Sequence, residues 1–141
     1  MYNCTFHLEA LLEITADTSV ILAVVLNEPA KPRLLERTRG AELVTAPTLP
    51  WEVGNGLSAL FKRKRIDLHQ AKAALRSFRE IPLRLGEISL EEAVELAKEQ
   101  DVYAYDAYIL ECARKYRTPL LSLDGPQRKI AERLGIEVLE V

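Results

Sequence analysis

The sequence has few of the residues that build disulfide frameworks, linkers or repeats. It has only two cysteines, Cys4 and Cys112, too few and too far apart for a disulfide framework or a zinc signature. Cys112 lies among apolar residues at helical spacing, which favours a buried free thiol. There is no low-complexity tract, no internal repeat and no linker rich in Pro, Gly or Ser. These absences indicate one domain, and 141 residues is an ordinary length for one.

Long apolar segments are missing as well. The longest apolar run, Val20 to Leu26, is far shorter than the ~20 residues that span a bilayer. The first residues, Met1 to Glu9, contain no Lys or Arg, so we expect no secretory signal, no membrane contact and a cytoplasmic location. No glycine-rich phosphate loop occurs, which disfavours an enzyme driven by ATP or GTP.

Neither sign of charge is in large excess. The formal net charge is -2, so bulk positive charge does not hold this protein on nucleic acid. A nuclease is still allowed, because bound metal ions neutralise a local cluster of acids. Hydrophobic residues make up 48% of the chain, which is enough for a core without disulfides.

Short apolar runs alternate with longer amphipathic stretches along the whole chain. This alternation predicts right-handed crossovers and a mainly parallel sheet with helices on both faces, which is an α/β fold. In such sheets, ligands bind outside the carboxyl ends of the strands. The predicted strands are 12–15, 42–45, 81–85, 120–123 and 136–139, and the predicted helices are 19–26, 31–39, 50–64, 68–79, 89–98, 105–116 and 127–134.

Four acidic residues are predicted to meet at that edge of the sheet. Asp17 and Asp124 each follow a strand and lead into a helix, while Glu52 and Asp106 lie near the starts of their helices. Carboxylate oxygens are preferred ligands of Mg²⁺ and Mn²⁺, and a divalent cation relieves the repulsion within such a cluster. The alternative is that each acid only caps its helix or faces solvent in the first turn, where carboxylates are favoured.

Four stretches of the chain share their order and spacing with a known family. They are ITADTSVILAVVLNEP (14–29), APTLPWEVGNGL (46–57), YDAYILECA (105–113) and PLLSLDGPQRKIAERLG (119–135). Together they resemble a PIN domain, and specifically the toxin ribonucleases of VapBC-type toxin–antitoxin pairs. The similarity runs from about Leu12 to the C-terminus. We therefore expect a PIN-like domain over residues 12–141, preceded by an N-terminal extension over residues 1–11.

The resemblance implies a three-layer α/β/α domain with a mainly parallel five-stranded sheet. It also implies a metal-dependent endoribonuclease with Mg²⁺ or Mn²⁺ in a carboxylate pocket. Asp17 and Asp106 would be the main metal ligands, and Glu52 and Asp124 would complete the catalytic site directly or through water. The implied partners are an RNA substrate, a tightly bound antitoxin protein and a second copy of the chain in a homodimer.

Polar and small residues accompany these acids. The resemblance gives Asn55 and Ser122 a supporting role beside the acids, and Asn55 shares a helix face with Glu52 three residues earlier. Gly54 and Gly56 flank Asn55 inside the same predicted helix, where each costs ~1 kcal/mol relative to Ala. Close packing against the sheet or a second subunit would explain them.

Other residues have a functional and a structural interpretation. The basic run 62–65 could steer RNA phosphates, but charged residues at a helix end are usually only solvated. Trp51 could stack on a base, although a core or dimer contact is the simpler interpretation. The tyrosine stripe at Tyr105, Tyr108 and Tyr116 is typical of a core. Asp101 could be a supplementary acid or an exposed one.

Two other functions compete with a nuclease. An aspartate-based phosphatase would also place Mg²⁺ at a strand-end Asp, but it needs a second acid two residues later, and Ser19 occupies that position. A PIN-shaped binding module without catalysis is the other alternative. The presence of all four acids argues against it without excluding it.

Overall fold

A four-stranded parallel sheet forms the centre of the fold. The computed structural model describes residues 12–141, so the extension 1–11, with Cys4, lies outside the described residues. The strands are β1 (Glu13–Ala16), β2 (Glu42–Thr45), β3 (Leu83–Leu85) and β4 (Leu120–Leu121). They lie in the order β3-β2-β1-β4, and each neighbouring pair is parallel.

Helices connect the strands, as the alternating sequence pattern predicts. α1 packs against α2, α3 and α4, while α5 packs against α6, which contacts β1 and β2. None of the helices within residues 12–141 combines the length and the apolar character needed to cross a bilayer. The helices are α1 (Thr18–Val25), α2 (Lys31–Thr38), α3 (Leu49–Lys62), α4 (Leu68–Glu80), α5 (Leu90–Gln100), α6 (Ala104–Tyr116) and α7 (Gly125–Arg133).

The central strand β1 is covered on both faces. Ile14, Thr15 and Ala16 follow one another along the strand and are all completely buried. Because successive side chains of a strand point to opposite faces, both faces of β1 must be packed against other elements. The prediction of a layered α/β domain with a parallel sheet is therefore confirmed. The prediction of a buried free thiol is confirmed too, because Cys112 is free and completely buried, and this burial raises the pKa of the thiol to about 11.

The prediction of a fifth strand is wrong for the described residues. The segment predicted as strand 136–139 makes only one isolated parallel bridge, between Leu120 and Val138. Its partner β4 is two residues long, because the chain turns at Ser122 into the start of α7 and offers no further edge to pair with. The segment is also held from α7, where one guanidinium nitrogen of Arg128 donates to the carbonyls of Ser122 (2.9 Å) and Leu139 (3.2 Å).

Several element boundaries differ from the prediction for local reasons. β3 begins two residues later than expected, after Pro82, which has no N–H to give to a ladder. α3 ends at Lys62 because the chain turns at Lys64, whose φ of 55° lies in the left-handed region. α7 begins two residues earlier than expected, with Asp124 as its cap and Pro in its first turn.

The two glycines of α3 have different surroundings. A Cβ added to Gly56 would lie 2.7 Å from Cδ1 of Leu22 on α1, so this glycine allows the two helices to approach closely. A Cβ added to Gly54 would meet nothing within 4 Å among the described residues. Close packing therefore explains Gly56, and within this chain the contact is with α1 rather than with the sheet.

We expect Gly54→Ala to raise the free energy of unfolding by ~1 kcal/mol, because alanine stabilises a helix interior and meets open space here. Gly56→Ala is the matched control, since the same gain is opposed by the displacement of Leu22. Urea denaturation followed by circular dichroism would measure both. Equal gains at the two positions would contradict this account of the α1–α3 contact.

Candidate active site

Asp17 and Asp124 lie side by side at the carboxyl edge of the sheet. β1 and β4 are neighbours, with Ala16 paired to Leu121, and each acid follows closely after its strand. Both carboxylates cap the helices that follow. Asp17 accepts the N–H of Val20 at 3.3 Å, and Asp124 accepts the N–H of Gln127 at 3.2 Å. The capping interpretation of these two acids therefore describes real contacts, and the same contacts fix both acids at one edge.

The carboxylate of Asp17 is buried and held by two serine hydroxyls. Only 6% of Asp17 is exposed. One of its oxygens accepts from the hydroxyl of Ser19, and the other accepts from the hydroxyl of Ser122, which is completely buried. The Ser122 hydroxyl also accepts the N–H of Asp124 at 3.0 Å, and the Ser19 hydroxyl accepts the N–H of Leu123 at 2.9 Å. The start of α1 and the turn after β4 thus form one hydrogen-bonded unit.

Burial and the charge of Asp124 disfavour the charged forms of Asp17 and Asp106. Desolvation raises the pKa of Asp17, the hydrogen bonds from Ser122, Ser19 and the N–H of Val20 lower it in part, and the charge of Asp124 raises it further. Desolvation also raises the pKa of Asp106, with the charge of Asp124 as the second cause.

Glu52 on α3 is the third acid of the cluster with a raised pKa. Its pKa is raised to about 6, chiefly by desolvation. The hydroxyl of Thr48 donates to its Oε2 at 3.2 Å and lowers the pKa, while the charges of Asp106 and Asp17 raise it. The charge of Asp124 therefore acts on Asp17 and Asp106, and the charges of those two acids act on Glu52. The structure brings Asp17, Glu52, Asp106 and Asp124 into one electrostatic cluster.

Three residues that hold this cluster are missing from the sequence-based prediction. Ser19 and Thr48 donate to Asp17 and Glu52. Gln127 is buried and donates through Nε2 to the carbonyl of Asp106 at 3.0 Å, which ties the start of α6 to α7. The spacing held a signal for two of them, since Ser19 lies two residues after one acid and Thr48 lies one helical turn before another. No local signal relates Gln127 to Asp106.

A cleft adjoins the cluster on the side of α3 and α6. It has a volume of about 420 Å³ and is lined by Thr18, Trp51, Glu52, Asn55, Gly56 and Tyr105. Asn55 is exposed here. Trp51 is 79% exposed, so its predicted core contact is wrong. Tyr105 is 57% exposed and departs from the predicted core stripe, while Tyr108 and Tyr116 of the same helix are half-buried.

The donor atoms of the cluster suit a hydrated hard cation. Among residues 12–141, no three His, Cys, Asp or Glu side chains are already arranged as a metal-binding group. The acids are nevertheless carboxylates that repel one another, and the hydroxyl of Thr18 beside Glu52 is buried with no hydrogen-bond partner in the described part of the chain. Mg²⁺ keeps several of its waters and needs only one or two direct carboxylates. Such an ion fits this donor set better than one bound by all four acids at once.

Two other charged features are the basic run 62–65, which lies away from the acidic cluster, and Asp101, which lies at the surface. The exposed basic run 62–65 is at the end of α3, ten residues beyond Glu52, which corresponds to ~15 Å along a helix. Asp101 is exposed and caps the C-terminus of α5 in the left-handed conformation. Contact of the basic run with RNA stays a prediction.

Comparison with known proteins identifies the family and the fold. The PIN domain family model matches residues 14–133, and PIN domains are generally nucleases that use divalent metals. No curated protein sequence matches significantly. Among solved structures, PAE2754 from Pyrobaculum aerophilum is similar with a TM-score of 0.66 and 17% identity, over 92% of this chain and 88% of that one. VapBC2 from Rickettsia felis, bound to a DNA fragment from their promoter, gives a TM-score of 0.64 and 16% identity, over 92% and 98% of the two chains.

A third similar structure has a higher sequence identity. A domain of a functionally unknown protein from Methanocaldococcus jannaschii shares 25% identity, with a TM-score of 0.52 and 92% of each chain covered. All three alignments extend over nearly the whole of this chain, so the PIN fold accounts for the domain as a whole.

The raised pKa of Glu52 predicts a pH-dependent stability in the absence of metal. The folded protein holds this proton more tightly than the unfolded chain, whose Glu has a pKa of 4.5. Stability should therefore fall as the pH rises from 4.5 to about 6 and stay level above that. Glu52→Gln should remove this fall and be more stable than the wild type above the window, by at most ~1 kcal/mol after solvent screening.

Thermal unfolding in EDTA across this pH range would measure the effect. Glu28→Gln is the matched control, because Glu28 is exposed beyond the far end of α1. A wild-type protein whose stability relative to Glu52→Gln does not change across the window would contradict the raised pKa.

Proposed function

Because the chain belongs to the PIN domain family, we propose that it is a metal-dependent endoribonuclease that hydrolyses RNA phosphodiester bonds. The observation that carries the proposal is the cluster of four carboxylates, in which burial and neighbouring charges raise the pKa values of Asp17, Glu52 and Asp106. Such a cluster is unfavourable for folding by itself. A divalent cation bound there would neutralise part of the negative charge and so offset the repulsion among the carboxylates.

Asp17 and Asp106 are the proposed direct ligands, with Glu52 and Asp124 completing the site directly or through water. When bound there, Mg²⁺ or Mn²⁺ would activate a water molecule and neutralise the charge that develops on the phosphate. Ser122 and Ser19 keep the Asp17 carboxylate oriented, and the cap bonds at α1 and α7 hold the backbone beneath it. In hydrolysis the water oxygen forms a bond to phosphorus, the bond to the 3′ oxygen breaks, and that oxygen takes up a proton.

The proposed biological role is that of the toxin in a toxin–antitoxin pair. It rests on the resemblance of four sequence stretches to VapC-like toxins, and a solved VapBC2 complex shares the fold. An antitoxin protein as inhibitor, a homodimer and a cytoplasmic location belong to the same proposal.

A PIN-shaped module that binds without cutting is the second candidate. Two observations favour it: Asp17 and Asp124 already serve as helix caps, and the described side chains form no ready-made metal group. The raised pKa values favour the nuclease instead, since capping alone does not require acids to be crowded together.

Calorimetric titration with Mn²⁺ tests the site assignment. We expect the wild type to bind Mn²⁺ and Asp17→Asn to lose at least tenfold in affinity, because the substitution removes a charged ligand. Asp101→Asn is the matched control, since Asp101 is exposed and asparagine tolerates its left-handed backbone. Metal-free Asp17→Asn removes one charge of a repelling cluster but also one of the two acceptors for the serine hydroxyls, so circular dichroism first checks that the variant is folded.

Cleavage of a mixed pool of single-stranded RNA in Mn²⁺ completes the test. The wild type and Asp101→Asn should cut, and Asp17→Asn should not. A folded Asp17→Asn protein that cuts as fast as the wild type would refute the site. A wild type that binds no Mn²⁺ would favour the binding module.

A further inference from the structure

Two exposed aromatic side chains line the cleft beside the acids. Trp51 on α3 and Tyr105 on α6 are 79% and 57% exposed, and both line the cleft together with Glu52 of the acidic cluster. Large aromatic side chains are usually at least partly buried in a domain, and most of the Leu, Ile and Val side chains among residues 12–141 are buried or partly buried here. Two exposed rings in one cleft that also contains an acid of the proposed catalytic site indicate a binding surface rather than scattered surface residues.

We propose that this cleft binds one unpaired nucleobase of the RNA, stacked on Trp51 or Tyr105, with the attached phosphate at the acidic cluster. This inference rests on the proposed nuclease function and adds a subsite to it. A base has flat π faces, and stacking of bases on aromatic side chains gives affinity with little dependence on sequence. Since the bases of a duplex are already stacked on one another, the cleft would select single-stranded RNA.

A polar group in the cleft can pair with the edge of a base. The exposed Asn55 carries an amide, which can both donate and accept. An apolar partner would leave this amide without a hydrogen-bond partner, so the combination of rings and an amide favours a base over an aliphatic side chain.

The charge distribution makes such a contact useful. The net charge of the chain is -2, and the densest basic run lies at the far end of α3, ~15 Å along the helix from Glu52. Bulk attraction to phosphate is therefore weak near the acids, so stacking supplies a local affinity that does not depend on positive charge. Tyr105 is also held in place, because its ring meets that of Tyr108 edge-to-face at 5.8 Å.

Trp51 is the only tryptophan of the chain, so its fluorescence reports directly on this cleft. The probes are a short oligoadenylate, a short oligouridylate and an abasic oligomer with the same ribose-phosphate backbone, titrated in Ca²⁺ and checked afterwards for intact length. We expect the emission of Trp51 to change with both base-containing oligomers and not with the abasic one. A change of equal size with the abasic oligomer would overturn the proposal.

Variants locate the contact by the anisotropy of labelled oligomers. At least one of Trp51→Ala and Tyr105→Ala should bind the base-containing probes ~10-fold more weakly than the wild type, and both should bind the abasic probe as well as the wild type does. Tyr105→Phe keeps the ring and should bind normally. Tyr103→Ala is the matched control, because Tyr103 is 86% exposed and two residues away but is not among the residues lining the cleft.

The outcomes separate this inference from the proposed function. If the wild type cuts RNA while both alanine variants bind like the wild type, the base subsite is wrong and the nuclease assignment stands. If the wild type binds through Trp51 but does not cut in Mn²⁺, the subsite stands and catalysis is refuted. If the wild type neither binds nor cuts, both are refuted. If Trp51→Ala converts a dimer into a monomer in sedimentation, the rings form a subunit interface and the subsite is refuted.

Discussion

The buried carboxylate of Asp17 is the constraint on which the rest of the site depends. Its two oxygens accept from Ser19 at the start of α1 and from Ser122 after β4, so one side chain joins the segments that follow the two neighbouring strands β1 and β4. Desolvation makes the charge of this group expensive, while its hydrogen bonds lower that cost. The carboxyl edge of the sheet is therefore held together by a buried carboxylate whose charge is costly.

The other acids reach the same edge by the same local means, because each lies at or near the start of a helix. Helix starts offer free N–H groups and a positive dipole end, both of which tolerate negative charge. Helix capping and metal binding are therefore not opposing explanations of Asp17 and Asp124. The caps hold the two backbones in place, and the two carboxylates still act on their neighbours: besides desolvation, the charge of Asp124 raises the pKa of Asp106 and the charge of Asp17 raises the pKa of Glu52.

Periodicity predicted the elements well because it follows directly from burial. The bounds of β2 are those of the prediction, and the four acids lie where strand ends and helix starts placed them. The errors concern tertiary neighbours. Whether 136–139 forms a strand depends on the length of β4, and the exposure of Trp51 depends on what α6 leaves uncovered beside it. Gln127 was missed for the same reason, since its partner Asp106 is 21 residues away.

The bridging guanidinium of Arg128 has a consequence for how the domain tolerates change. It donates to the carbonyls of both Ser122 and Leu139. The segment after α7 is thereby linked to the turn that contains Asp124 and supports it. That segment has almost no regular structure and would ordinarily be free to vary in length. Here, an inserted or deleted residue between Arg133 and Leu139 would move the Leu139 carbonyl away from Arg128 and weaken this link to the turn at Ser122. The length of this irregular segment is therefore as constrained as that of a strand.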